Sequence, residues 1–143
     1  MRVHVATRGL RAPVPRRLLE AAGRAAMRAI GAPADAELEV ALVDDATMAR
    51  LHRRFLGVRG STDVMTFPGD GGADRTLGEV VISVDRARAQ AREAGWAVRR
   101  EVTLLLVHGV LHLGGYDDRA PAQAARMRAA ERRILAQVFR TRR

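Results

Sequence analysis

The stretch from Val98 to Leu113 constrains the fold more than any other part of the chain. Val102, Leu105, Leu106 and further apolar residues recur along it at helical spacing, and Gly114-Gly115 closes it. It therefore predicts a mostly buried helix around which everything else must pack. Its longest aliphatic run, Leu104 to Val107, is far too short to cross a bilayer. Upstream, Val3 and Val5 alternate as a strand, and Arg8-Gly9 and Pro13 interrupt regular structure. Leu18, Leu19, Ala22, Ala26, Met27 and Ile30 then mark a helix from Pro15 that Gly31 is placed to end. Glu37 to Val43 alternates as a second strand, after which Asp44 or Asp45 caps a helix carrying Met48, Leu51, His52 and Phe55.

Val64 to Phe67 is β-prone and is stopped by Pro68 and the Gly69-Asp70-Gly71-Gly72 cluster, across which Leu77 to Ser83 offers the partner of an antiparallel hairpin. Further helices are expected over Asp85 to Gly95 and from Pro121 to about Phe139, the latter with Met127, Ala130, Ile134, Leu135 and Val138 on one side. The pattern predicts an α+β fold, a small mixed four-stranded sheet packed with about five helices, as one domain over residues 1–143.

Composition narrows the function. An apolar content of 48% excludes a disordered chain, and 3% aromatic residues exclude a surface built to stack many single-stranded bases. Basic residues number 25 against 16 acidic ones, for a formal charge of +9, and all 25 are arginine. Such a field favours phosphate polymers, and guanidinium forks match phosphate oxygens two at a time. Arg126, Arg128, Arg132 and Arg133, with Arg140, Arg142 and Arg143 beyond them, stand against the single acid Glu131 and make the last helix the expected nucleic-acid footprint. The chain has no cysteine, which leaves imidazole and oxygen as metal ligands and suits a reducing cytoplasm. Its N-terminus lacks a secretory signal, so a cytoplasmic location with no membrane association is expected.

The sharpest chemistry lies in His108-Gly109-Val110-Leu111-His112-Leu113-Gly114-Gly115-Tyr116-Asp117-Asp118. Imidazoles at i and i+4 share one helical face and are separated by about 6 Å along the axis, close enough to converge on one cation. The glycine pair lets the chain turn so that Asp117 or Asp118 comes back as a third ligand. Two histidines can satisfy themselves locally, but burying them on so apolar a helix without a role costs desolvation energy. Zinc accepts such a ligand set with open positions for catalysis, and ferrous iron accepts it too. Gly109 stands where an HExxH metallopeptidase carries its general base, which argues against that class.

Three segments, Thr62-Asp63-Val64-Met65-Thr66-Phe67-Pro68, Leu77 to Ser83 and His108 to Asp118, resemble the YbeY-type endoribonucleases and rRNA maturation factors. The first is similar to that family's TDVLSFP segment, and the likeness runs from about Val40 to Ile134. The resemblance implies a zincin-like metal helix and a zinc-dependent endoribonuclease specific for single strands. It further implies maturation of the 3′ end of small-subunit (16S) ribosomal RNA, with RNA and the ribosome or its proteins as partners. It also implies one Zn²⁺ per chain on His108, His112 and Asp118. Most members end the motif with a third histidine where this chain has Asp118, as in a subgroup that continues into a segment like Met127-Arg128-Ala129-Ala130-Glu131. Many carry a functional arginine where this chain has Leu56, and Arg59 is its candidate substitute, a catalytic residue for steadying the phosphoryl transition state.

Other residues carry two readings each. Asp63 either orients a histidine or caps its own loop. Glu79 and Ser83 fall on one face of a strand and either line a cleft or face solvent. His4 and His52 are expected at the surface or boundary, and Trp96 in the core or at a helix joint in preference to a base-stacking platform. The alternative to an enzyme is a basic ribosome-associated RNA-binding factor whose metal is structural and which has no turnover. A hydrolase of a non-nucleic substrate ranks third.

Overall fold

The computed structural model describes residues 1–70 and 75–140. Gly71 and Gly72 of the expected turn, and Arg142 and Arg143 of the basic tail, lie outside the described residues. In chain order the elements are β1 (Arg2–Ala6), α1 (Arg16–Ala29), β2 (Glu37–Val43), α2 (Asp45–Leu56), β3 (Val64–Pro68), β4 (Thr76–Ser83), α3 (Val84–Ala94), α4 (Val98–Leu113) and α5 (Pro121–Arg140). The strands form one mixed sheet in the order β1-β2-β4-β3, with β1, β2 and β4 parallel and β3 antiparallel to β4 at the edge. The α+β arrangement of four strands and five helices is the one the periodicities predict. Among the described residues no helix is long and apolar enough to cross a membrane.

Helices cover the two faces of this sheet unequally. Leu38, Val40, Leu42, Val80 and Ile82 point to one side and join Val3 and Val5 in a core closed by α1, α4 and α5. On the other side Ala41, Val43, Val81 and Met65 form a smaller cluster under Met48 of α2. The strict alternation expected of β2 therefore holds only through its first half. Beyond Val40 the residues Ala41, Leu42 and Val43 are all buried, because α2 closes the second face there. Asp44 is the N-cap of α2, its carboxylate accepting the Thr47 N–H at 2.8 Å. Of the expected apolar stripe on α2 only Met48 is buried, and Phe55 and Leu56 are exposed by 53% and 60%.

Helix α4 lies very close to the sheet, and Gly109 is the reason. A Cβ at this position would sit 2.7 Å from Val80 Cγ1 and 3.2 Å from Thr66 Cγ2, so a side chain there has no room. This contact holds the C-terminal half of α4 against β3 and β4. At its other end Trp96 occupies the α3–α4 joint, its indole N–H donating to the buried Glu101 at 2.9 Å with the Arg100 guanidinium over the ring.

Candidate metal centre

His108 and His112 lie on one side of α4 with their Nε2 atoms 3.0 Å apart. Gly115, at φ +97°, takes the left-handed conformation that turns the chain just past the helix. The turn carries Asp118 back until its Oδ2 is 3.9 Å from His108 Nε2 and 3.8 Å from His112 Nε2. One ligand atom from each residue thus falls within 4.8 Å of the others, a group that could hold a metal ion. Tetrahedral zinc with ordinary bond lengths needs ligand atoms roughly 3.3 Å apart, which the three separations bracket.

The outer nitrogens decide what the inner ones can do. His108 Nδ1 is 2.5 Å from Oε2 of Glu131 on α5, and His112 Nδ1 is 3.0 Å from the Tyr116 carbonyl oxygen. A carboxylate and a carbonyl accept hydrogen bonds, so each Nδ1 carries the ring proton and donates it. In the neutral rings both Nε2 atoms then present lone pairs, to each other and to the Asp118 carboxylate. In that tautomer three electron-pair donors face one another, an arrangement that either a proton shared between the rings or a metal ion can bridge. The surroundings of His108 also favour positive charge. Burial lowers its pKa, but the Glu131 bond and charge, helped by the Asp118 and Asp63 carboxylates, outweigh that and leave it raised.

The neighbouring carboxylate is committed elsewhere. Asp117 accepts from Arg119 Nε at 2.8 Å, from Arg119 Nη2 at 2.7 Å and from the Arg119 backbone N–H at 3.0 Å. These bonds lower its pKa to about 2. Of the two candidates for a third ligand, Asp117 is held by its arginine and Asp118 faces the histidines.

The other singled-out residues separate cleanly. Arg59 lines a groove with Arg50, Arg53 and Gly60, and none of the three potential ligands lines it. Asp63 accepts the Val64 N–H at 2.8 Å and Gln90 Nε2 at 3.1 Å, which is the capping role, and it makes no hydrogen bond to a histidine among the described residues. Ser83 is buried, donates to Asp45 at 3.1 Å and caps α3, whereas Glu79 lines a cavity on the α2 side of the sheet. His4 pairs with Glu37 at the surface, and His52 Nδ1 meets the Gly60 carbonyl oxygen at 3.0 Å. Arg126, Arg128, Arg132, Arg133 and Arg140 are all exposed on α5, and Arg126 lines a cavity with Gly114, Gly115, Tyr116 and Asp117 beside the turn.

Two participants escape a sequence reading. The Tyr116 carbonyl is invisible in principle, because backbone atoms carry no sequence signal. Glu131 had one: it falls four residues after Met127 and three before Ile134, an acid on the apolar stripe of an otherwise basic helix, and it is only 9% exposed.

Fold and site together define a class, a small α+β protein with an imidazole–imidazole–carboxylate group that could hold a metal ion at the C-terminal end of helix α4. The family profile described as Endoribonuclease YbeY matches residues 10–139. A protein named Endoribonuclease YbeY from Chloroflexus aggregans is 41% identical over 128 residues, covering 82% of this chain and 84% of that one. Another of that name from Moorella thermoacetica is 41% identical over 140 residues, covering 88% and 90%. The chain belongs to the YbeY endoribonuclease family. A Thermotoga maritima protein solved in solution shares the fold, with a TM-score of 0.67 at 24% identity over 96% of this chain and 89% of that one.

Proposed function

We propose that this chain is a zinc-dependent endoribonuclease that cuts single-stranded RNA in the cytoplasm and acts in ribosome biogenesis on the 3′ end of small-subunit ribosomal RNA. The observation that carries the reading is the convergence of His108 Nε2, His112 Nε2 and an Asp118 carboxylate oxygen within 4.8 Å of one another, with each ring's Nδ1 turned to an acceptor. Family membership supports RNA as the substrate. His108, His112 and Asp118 would hold the ion, which when bound supplies a Lewis acid that lowers the pKa of water and offsets phosphoryl charge.

The chain's own residues do the rest. Glu131 and the Tyr116 carbonyl fix the ring orientations and tautomers. Arg126 stands at the cavity beside the turn, where a guanidinium can hold an RNA phosphate, and the exposed arginines of α5 extend that field outward. Gly109 is packed against Val80, so the place from which an HExxH glutamate would act is filled by the sheet.

Elemental mass spectrometry on untagged protein prepared without chelator tests the reading. Near-stoichiometric zinc is expected, lost in His112→Ala and in Asp118→Ala together with cutting of single-stranded RNA. Zinc that persists without Asp118 moves the third ligand elsewhere, and stoichiometric zinc with no turnover at any protein concentration favours the RNA-binding factor. Arg59→Ala is expected to lower kcat with little change in KM, the pattern of a contact made only in the transition state. A change in KM alone would assign Arg59 to phosphate binding beside Arg50 and Arg53.

A further inference from the structure

The half-covered face of the sheet carries a second cavity, of about 260 Å³, which none of the three potential ligands lines. Its walls include Phe55, Phe67, Glu79, Arg8 and Arg54. Phe67 on β3 is directly opposite Glu79 on β4, so the ring and the carboxylate stand side by side on the α2 face. The Phe55 ring meets the Phe67 ring edge-on with centroids 5.2 Å apart, and the Arg54 guanidinium lies 5.4 Å from the Phe55 centroid. Neither Glu79 nor the two arginines has a hydrogen-bond or ion-pair partner among the described residues, although all three border one cavity. Arg8 is further held at φ +48°, a left-handed conformation uncommon for a side-chain-bearing residue.

Each part matches a different part of a nucleotide. Exposed aromatic rings stack on a base. Unpaired guanidinium groups at the rim hold the flanking phosphates. A free carboxylate offers two acceptors side by side, and among the four RNA bases only guanine presents two adjacent donors, N1–H and N2–H, on its Watson–Crick edge. The carboxylate is set within a strongly basic protein, where it repels phosphate and selects for an amino-bearing edge. Position connects the cavity to the metal centre. Thr66 touches α4 at Gly109, the next residue Phe67 faces the cavity, and β3 is the edge strand around which a single strand can pass.

We infer that the cavity bounded by Phe55, Phe67 and Glu79 is a nucleobase subsite that holds an unstacked guanine of single-stranded RNA a few nucleotides from the cut, with Arg8 and Arg54 on its phosphates. This deepens the endoribonuclease reading and rests on it for the substrate. Binding is the readout, measured on the zinc-loaded protein by fluorescence anisotropy. The probes are cleavage-resistant 2′-O-methyl phosphorothioate oligouridylates carrying a single guanosine, inosine or adenosine; inosine lacks only the N2 amine.

Wild type is expected to bind the guanosine oligomer about tenfold more tightly than the other two. Glu79→Gln should abolish that preference and leave the inosine and adenosine oligomers within about twofold of wild type. Phe55→Ala, a change at an exposed ring, should weaken all three by about tenfold. Equal affinity of wild type for the three oligomers overturns the subsite, as does a Glu79→Gln variant that binds all three more tightly, since Glu79 then only repels phosphate and its face suits a basic protein segment. RNA cutting without guanine preference removes the subsite and keeps the ribonuclease. Guanine preference lost in Glu79→Gln, in a protein that cuts no RNA, does the reverse.

Discussion

The two faces of the sheet are built from neighbouring residues of the same strands, yet they end in opposite states. Val80 and Ile82 point into a core closed by three helices, whereas Glu79 and Val81, one residue away in each case, point to a face that α2 covers only in part. The closed face supports the imidazole pair, because packing of α4 on the sheet and of α5 on α4 is what sets Glu131 behind His108. The half-open face leaves the Glu79 carboxylate and the Arg8 and Arg54 guanidinium groups without a hydrogen-bond or ion-pair partner among the described residues. A buried polar group must be satisfied by the protein itself, whereas a group at an open cavity is free to be satisfied by a ligand.

Four measurements sharpen or break this contrast. The largest stability difference is expected between Leu106→Ala, at a residue with no exposed surface in the closed core, and Phe55→Ala on the open face. Chemical denaturation should give a loss of about 2–5 kcal/mol for the first and within about 0.5 kcal/mol for the second. Comparable losses would mean that the open face is part of the core.

Glu131→Gln comes next. It keeps the side chain's size and removes the charge behind His108, so zinc affinity in competition with a chelator should fall by about 10–100-fold. Asp117→Asn, at a carboxylate already held by Arg119, should leave that affinity unchanged. Equal effects of the two would dissolve the distinction between Asp117 and Asp118.

A smaller effect is expected with pH. The folded pKa of His108 lies above its ordinary value, so in chelator-treated protein the protonated ring contributes stability that is fully present below about 6.5 and is lost as pH rises through the raised value. A metal ion competes with that proton, so protection by zinc should grow over the same interval. Thermal unfolding with and without chelator between about pH 6 and about pH 8 measures both trends. Parallel curves would show that His108 takes no part in binding.

The smallest effect concerns the basic surface. Replacing Arg126, Arg128, Arg132 and Arg133 together should leave stability nearly unaltered and flatten the salt dependence of RNA binding, and an unchanged slope rejects α5 as a footprint.

The elements and the potential ligands were legible in the chain, and the contacts that give them meaning were less so. Helices α1, α4 and α5 announce themselves because a buried helix needs an apolar residue every third or fourth position. The strands β3 and β4 do so through β-branched runs bounded by proline and glycine. The i, i+4 histidines and the glycine turn are local, so their convergence follows from helix geometry. The burial of Ala41 and Val43 did not follow, since α2 lands on one end of β2 only. Nor did the position of Arg59, which depends on where the loop after α2 runs.

By itself the sequence determined the architecture, the family likeness and the imidazole pair, all of which rest on short-range periodicity and fixed spacing. The family likeness already implied Asp118 as a ligand; only the tertiary structure decided that Asp117 is taken up by Arg119, that Glu131 stands behind His108, and that Phe55, Phe67 and Glu79 share one cavity. Those relations join residues far apart in the chain or turn on the direction of one side chain. Both are set by how helices pack on the sheet, and no local pattern encodes them.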